Sequence, residues 1–195
     1  MNSPYEGLPP ENWEDVTRKL VAQHPLEMTE LYEIVSKVWD DIFSSGIGSK
    51  PFRIGVDLFP RPQIMGYFLH ELIPLELEFR YPEIWRREIT SDEKDVVFVL
   101  NPTFSVEIKT SSSTRSIYGN RSYAQVGDTS KKSKSGYYLA INFEKFTSNM
   151  KQPKITLVRF GWLDHEDWVG QTAATGQQSR LSRDVELKKL LTISF

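Results

Sequence analysis

Apolar side chains follow two rhythms along this chain. Between residues 29 and 46 they recur every three or four positions, so that Leu31, Ile34, Val35, Val38, Trp39, Ile42 and Phe43 share one stripe of a helix. Thr29 stands where an N-cap belongs, Glu30 follows in the first turn where the helix dipole favours an acid, and Gly46 occupies the place of a C-terminal cap. The stripe is read as core rather than as a partner-binding face. A shorter helix is predicted over about 11–23, after Pro9-Pro10 and before Pro25. Another spans about 62–73, with Ile64, Met65, Phe68, Leu69 and Leu72 inward, until Pro74 kinks or ends it; 75–80 continues as helix or turn.

From residue 96 the period shortens to two. Residues 96–100 form an unbroken apolar run, Asn101-Pro102 supplies a turn, and 104–109 alternates Phe, Ser, Val, Glu, Ile, Lys. Phe104, Val106 and Ile108 therefore point to one side of a strand, and Ser105, Glu107 and Lys109 to the other. Residues 137–143 and 155–162 read as two further strands, mostly apolar and so central in a sheet. Residues 54–58 suggest a short strand, and 184–191 a closing short helix or strand. The 195 residues, 39% hydrophobic and 12% aromatic, are enough to bury a real core. The expected fold is α/β, a central mixed β-sheet flanked by helices, in a single domain over 1–195. Its N-terminal helical part lies at about 10–45 and a hairpin at about 94–110.

That hairpin carries the chemistry. Glu107 and Lys109 are neighbours on one face, and Asp95, at the mouth of the preceding strand, reaches the same end if the two strands pair. Asp92 and Glu93 crowd the same entrance, but only Asp95 stands in the right relation to a long apolar strand. Two adjacent carboxylates repel when ionised, and a hard divalent cation such as Mg2+ most often makes the arrangement favourable. A lysine beside them can hold a phosphate or orient and help deprotonate an attacking water. This is the chemistry of phosphodiester hydrolysis. The plainer alternative is a charged edge at the solvated end of a hairpin.

Asp95 followed by Glu107-Ile108-Lys109 resembles the signature of the PD-(D/E)xK nucleases, with Lys94 in place of the family's proline. The segments IGVDLFPRPQIMGYFLHELIPLELEFRYPEIWR, SVEIKTSSS, IYGNRSYAQ, RFGWLDHEDW and GQQSRL, from about residue 46 to 181, are similar to those of type II restriction endonucleases, most closely the ScaI-like group. The resemblance implies a restriction-endonuclease-like fold and Mg2+-dependent cleavage of double-stranded DNA that leaves 5′-phosphates. It implies that Asp95, Glu107 and the backbone carbonyl of Ile108 hold the metal and that Lys109 activates the water. Related nucleases often place a helical glutamate near the metal, which makes Glu71 a candidate third acid; its other reading is a solvated glutamate, and His70 beside it is read as structural. The resemblance further implies a homodimer reading a two-fold site, with its interface sought first on the N-terminal helices. A cognate DNA methyltransferase would share the site without needing to bind the enzyme.

Charge changes the picture only when divided. The formal net charge of -2 argues against a nucleic-acid partner. Yet residues 1–95 hold 10 Lys+Arg against 18 Asp+Glu, a balance of -8, and residues 109–159 hold 10 against 2, a balance of +8. If the basic segment lies on one face it neutralises backbone phosphates. Lys131 and Lys132 belong to it, though a solvated loop reads the same. Ser111 and Ser112 suit phosphate oxygens, and Asn120, Arg121 and Gln125 suit base edges or backbone. Gln177, Gln178 and Arg180 suit DNA readout, or a disordered loop in the free protein that orders on binding. Asp164, with His165, Glu166 and Asp167, is the N-cap of a short helix rather than a metal cluster.

The chain has no cysteine, which excludes disulfides, thiolate zinc sites and cysteine nucleophiles. With no long apolar run and no basic or apolar leader it is expected to be cytoplasmic, with no membrane partner. Ser-His-Asp arrangements, P-loops, repeats and heptads are absent. Two other functions fit the same residues. One is a PD-(D/E)xK nuclease of repair or junction resolution, which would cut by structure rather than sequence; the other is a DNA-binding module without catalysis.

Overall fold

In the computed structural model, which describes residues 3–124, 133–173 and 175–193, the apolar stripe of the early helix lies against the sheet. Helix α1 (Trp13–Ala22) is followed by α2 (Met28–Ser44), which buries Leu31, Ile34, Val35, Val38, Trp39 and Ile42. The helix starts one residue before the expected cap: Glu27 is its N-cap residue and no side chain caps it. At the other end Ser45 is extended and its N–H donates to the Asp41 carbonyl, so Gly46 is not a cap. Gly46 instead opens a two-residue ladder of β1 (Gly46–Ile47) with β2 (Phe52–Arg53). Residues 54–58 form a turn closed by a single bridge between Ile54 and Leu58, not a strand.

Helix α3 (Pro62–Arg80) runs straight through Pro74. The proline ring is buried with Leu69, Ile73 and Leu77, and that packing outweighs the one backbone donor it lacks. The helix lies close over the sheet at Gly66, where a Cβ would stand 2.5 Å from Thr110 Oγ1. This close approach brings the helix over the strand that carries Glu107.

The remaining elements are β3 (Trp85–Arg87), β4 (Val96–Phe98), β5 (Val106–Ser111), β6 (Tyr118–Asn120), β7 (Gly136–Phe143), β8 (Ile155–Leu163), β9 (Trp168–Gly170), β10 (Gln178–Leu181), α4 (Arg183–Lys188) and β11 (Leu190–Ile193). The central sheet has the order β11-β8-β7-β5-β4-β3. Only β5 and β7 are parallel, so the sheet is mixed as expected. β7 is buried along its whole length, as a strand covered on both faces must be. The tail, expected as a helix or a strand, is both. β6, β10 and β9 make a second, three-stranded antiparallel sheet with Gln178 opposite Asn120 and Arg180 opposite Tyr118.

Polar groups in the core fix the connection between β5 and β6 to the central sheet and α4. Arg159 on β8 is fully buried; its guanidinium donates to the Arg115 carbonyl, to Asn142 Oδ1 at 3.0 Å and to the Glu186 carbonyl at 3.5 Å. Burial lowers its pKa to about 10, which leaves it charged at neutral pH. Asn142 in turn donates to the carbonyls of Ser113 and Ser116, and Glu186 accepts from the Ile117 N–H. The connection from β5 to β6 is thus clamped from below. Near the N-terminus, Asp164 and Asp167 flank a 3-10 turn and both accept from Lys189 Nζ, at 3.3 and 2.8 Å. Lys189 lies over the rings of Tyr5 and Trp13. The acids after β8 hold a lysine, and among the described residues no group of three or more His, Cys, Asp or Glu side chains is arranged for a metal.

His24 joins the helical part to the hairpin. Its Nδ1 accepts from the Leu26 N–H at 3.1 Å and its Nε2 donates to the Phe104 carbonyl at 2.9 Å, with the rings of Tyr137 and Phe160 packed beside it. Burial lowers its pKa to about 4. The unfolded chain takes up this proton near pH 6.5 and the folded one only near 4, so stability falls as the pH drops through that window. Between pH 7 and 5 the loss from this residue is about 2 kcal/mol. Chemical denaturation at the two pH values is expected to show His24→Gln losing less on acidification than the parent by about that amount; equal losses would place the imidazole in contact with water.

Candidate active site

Val96 on β4 pairs with Val106 on β5. This antiparallel register brings Asp95, one residue before the strand, opposite Glu107, and Asp95 Oδ2 accepts the Ile108 N–H at 2.6 Å. Glu107, on the opposite face to Val106 and Ile108, is 2% exposed. Its Oε1 accepts from Lys109 Nζ at 2.7 Å and from the Tyr123 hydroxyl at 2.5 Å. Lys109 Nζ also reaches the Ile108 carbonyl at 3.2 Å. Asp95, Glu107, Lys109 and the Ile108 carbonyl therefore converge as the alternation predicts. Burial of the two strands' charged groups, with side-chain exposures of 14% for Asp95, 2% for Glu107 and 12% for Lys109, is incompatible with a solvated hairpin edge.

His70, expected to be structural, stands at the site: Nδ1 lies 3.6 Å from Asp95 Oδ2. With Glu71 it projects from α3 into a cleft of about 1180 Å³ that Asp95, Ser111, Ser112, Tyr118 and Gln178 also line. Glu71 is exposed there. Glu93, at the hairpin entrance, is engaged elsewhere. It pairs with Arg86 and accepts from the N–H groups of Ile89 and Thr90, and the Arg86 guanidinium holds its carboxyl down at about 2.

The donor set suits a hard cation. Two carboxylates and a main-chain carbonyl offer oxygens only, and the Lys109 ammonium already bridges two of the three groups. With three protein oxygens, the remaining positions around Mg2+ would fall to water, as that ion prefers.

Beyond the cleft, the second sheet alternates outward and inward. Tyr118, Asn120, Gln178 and Arg180 are exposed, whereas Gly119, Ser179 and Leu181 are buried between them. Three of the proposed DNA-contacting residues, drawn from segments 120 and 178–180, thus share one face. Residues 178–181 form β10 in the free chain, so of the two readings of this segment the disordered loop is the one that does not hold.

A sequence profile described as ScaI restriction endonuclease matches residues 3–194. The type II restriction enzyme ScaI of Streptomyces caespitosus is 45% identical over 194 residues, covering 98% of this chain and 85% of that protein. The chain belongs to the ScaI restriction endonuclease family. No solved structure matches it. The family match extends past residues 46–181, where the local motifs lie, and takes in the N-terminal helices and the last strand. The protein is a type II restriction endonuclease, as the motifs imply.

Within this family member the other DNA-contact candidates have separate fates. Arg121 donates from Nη1 to the Ala173 and Gly176 carbonyls, and its N–H bonds the Gln177 carbonyl, so it braces the loop before β10. Gln177 meets Arg121 through its backbone. Gln125, Lys131 and Lys132 lie outside the described residues. The basic segment does not make one face: Arg159 is buried, Lys109 is in the site, Lys134 donates to the Ser122 carbonyl, and Lys145, Lys151 and Lys154 belong to the β7–β8 connection. Sequence reasoning missed His70 as a site residue and missed Tyr123 altogether. The position of Tyr123 in IYGNRSYAQ, the most specific of the motifs, was the available signal.

Proposed function

We propose that this restriction endonuclease hydrolyses double-stranded DNA at a fixed sequence with Mg2+, leaving 5′-phosphates and 3′-hydroxyls. The observation that carries the reading is the convergence of Asp95, Glu107, the Ile108 carbonyl and Lys109 beside a cleft that Asp95, Ser111, Ser112 and Gln178 line. Asp95, Glu107 and the Ile108 carbonyl would hold the metal. When bound, Mg2+ supplies charge stabilisation at the phosphoryl oxygens. Lys109 orients a water for in-line attack on phosphorus and favours its deprotonation, while the 3′ oxygen leaves. Ser111 and Ser112 lie where backbone phosphates would pass, and Asn120, Gln178 and Arg180 face the bases. Glu71 and His70 border the same path.

Digestion of a long, fully sequenced, unmethylated DNA with Mg2+ tests the reading. Discrete bands are expected that vanish with EDTA and in Glu107→Ala. Scattered or structure-dependent cuts would instead favour the repair-type nuclease. Intact DNA that the protein still retards on a gel would remove the catalytic assignment.

A palindromic site is matched most simply by a homodimer. The N-terminal helices are where its interface is first sought, and the apolar stripe of α2 is buried in the core as expected. The far end of α3 is better suited, since it exposes Leu75 and Phe79 (38% and 82%) outside the cleft. Sedimentation is expected to give twice the monomer mass, falling to one on Phe79→Asp; an unchanged dimer would put the interface elsewhere. The enzyme would act in the cytoplasm, on sites that a cognate methyltransferase protects.

A further inference from the structure

Tyr123 sits between the sheet that carries the exposed polar face and the catalytic strand. It belongs to a 3-10 turn, Arg121–Ala124, that follows β6 directly. One end of the turn is fastened to the second sheet: the Arg121 N–H and guanidinium hold the carbonyls of Gln177, Ala173 and Gly176. Ser179 Oγ donates to the Asn120 carbonyl just before it. The other end is fastened to the chemistry. The Tyr123 hydroxyl donates to Glu107 Oε1 at 2.5 Å, the same oxygen that receives Lys109 Nζ. Lys109 also lies over the Tyr123 ring, 4.7 Å from its centroid, and the ring edge packs on Trp168 of β9. Burial, then the Glu107 charge, raises the Tyr123 pKa well above its ordinary value, so the hydroxyl keeps its proton as a donor.

We infer that Tyr123 is a specificity-determining latch, which caps Glu107 until the face bearing Asn120, Gln178 and Arg180 engages the correct bases. The inference rests on Glu107 as a metal ligand. Glu107 Oε1, which accepts two donors, offers its electron pairs to a cation only after one of them leaves, and Oε2 is buried away from solvent. The Arg121–Ala124 turn is short and pinned at its start to β10, so a displacement of the second sheet on the DNA is carried to the Tyr123 hydroxyl. Sequence discrimination thereby enters at the cleavage step as well as at binding.

The experiment compares the parent, Tyr123→Phe and Glu107→Ala. It measures Mn2+ binding to the free protein by calorimetry and single-turnover cleavage of a cognate site and of one altered by a base pair. Tyr123→Phe removes one oxygen and keeps the ring, and its melting temperature checks the fold. Expected are about tenfold tighter Mn2+ binding and about tenfold faster cleavage of the altered site, the equivalent of one hydrogen bond to a charged group. Cognate cleavage changes less than about threefold. Unchanged Mn2+ affinity with an unchanged altered-site rate overturns the latch. So does an equal fall at both sites, which would make Tyr123 an aligner of Glu107 in the active state. If Glu107→Ala binds Mn2+ as the parent does, the metal assignment itself fails, and with it the latch.

Discussion

Lys109→Met is expected to slow single-turnover cleavage by about two to four orders of magnitude, the scale of losing one positioned proton-transfer or charge-stabilising group. Methionine keeps the unbranched stem and removes the ammonium, so the packing of β5 against β7 is retained. Glu107 Oε1 keeps its bond from Tyr123, and Asp95 keeps the Ile108 N–H. Metal-free DNA retention is therefore expected to match the parent, whereas folding stability falls, because Glu107, 2% exposed, loses the ammonium that pairs with it. Mn2+ binding is expected to be no weaker, because the ammonium shares two oxygens of the proposed metal set. This separates Lys109 from Glu107, whose removal costs metal and cleavage together. Cleavage within threefold of the parent at pH 8 would show that the water is activated elsewhere, with His70 the nearest group.

Lys189→Met carries the largest expected effect on stability, about 3–5 kcal/mol. Lys189 is 4% exposed as a side chain, and it meets Asp164 and Asp167, themselves 11% and 8% exposed. Removing it strands two buried carboxylates beside each other. The pKa of Asp167 is already raised by burial, against the pull of Lys189. Without the lysine it rises further. A carboxyl with a raised folded pKa takes a proton more readily in the folded than in the unfolded state, so acidification favours the fold and rising pH weakens it. The penalty should be full at pH 8 and shrink towards pH 5. Denaturant melts at both values measure this. A penalty independent of pH would mean that water reaches the acids.

The elements that could be read from the sequence are those whose pattern is local. The α2 stripe, the alternation through Glu107 and Lys109, and the apolar runs of β7 and β8 each declare themselves within a dozen residues; α2, β7 and β8 lie where the period places them, whereas the alternating strand starts at Val106 rather than Phe104, because Pro102–Phe104 is a 3-10 turn. Pro74 does not end its helix, because its local cost is set against burial beside Leu69, Ile73 and Leu77, which only the tertiary contact reveals. The second sheet was illegible for a different reason. It joins residues 118–120 to 178–181, too far apart for any periodicity to link them. The partners of Arg159, Lys189 and His24 are equally remote in sequence. Asp95, Glu107 and Lys109 were legible because one hairpin carries them all, whereas Tyr123 and His70 arrive from separate elements.

The two-residue alternation of β6 and β10 divides the second sheet by evolutionary freedom. Tyr118, Asn120, Gln178 and Arg180 face outward and can be exchanged with little effect on folding. Gly119 between them has no such latitude: a Cβ there would stand 2.9 Å from Ser179 Oγ and 3.1 Å from the Tyr123 ring. Each tolerated exchange lands directly across from another, Asn120 against Gln178 and Tyr118 against Arg180. On the proposed reading of this face, new target preferences arise by paired substitutions on an unchanged frame.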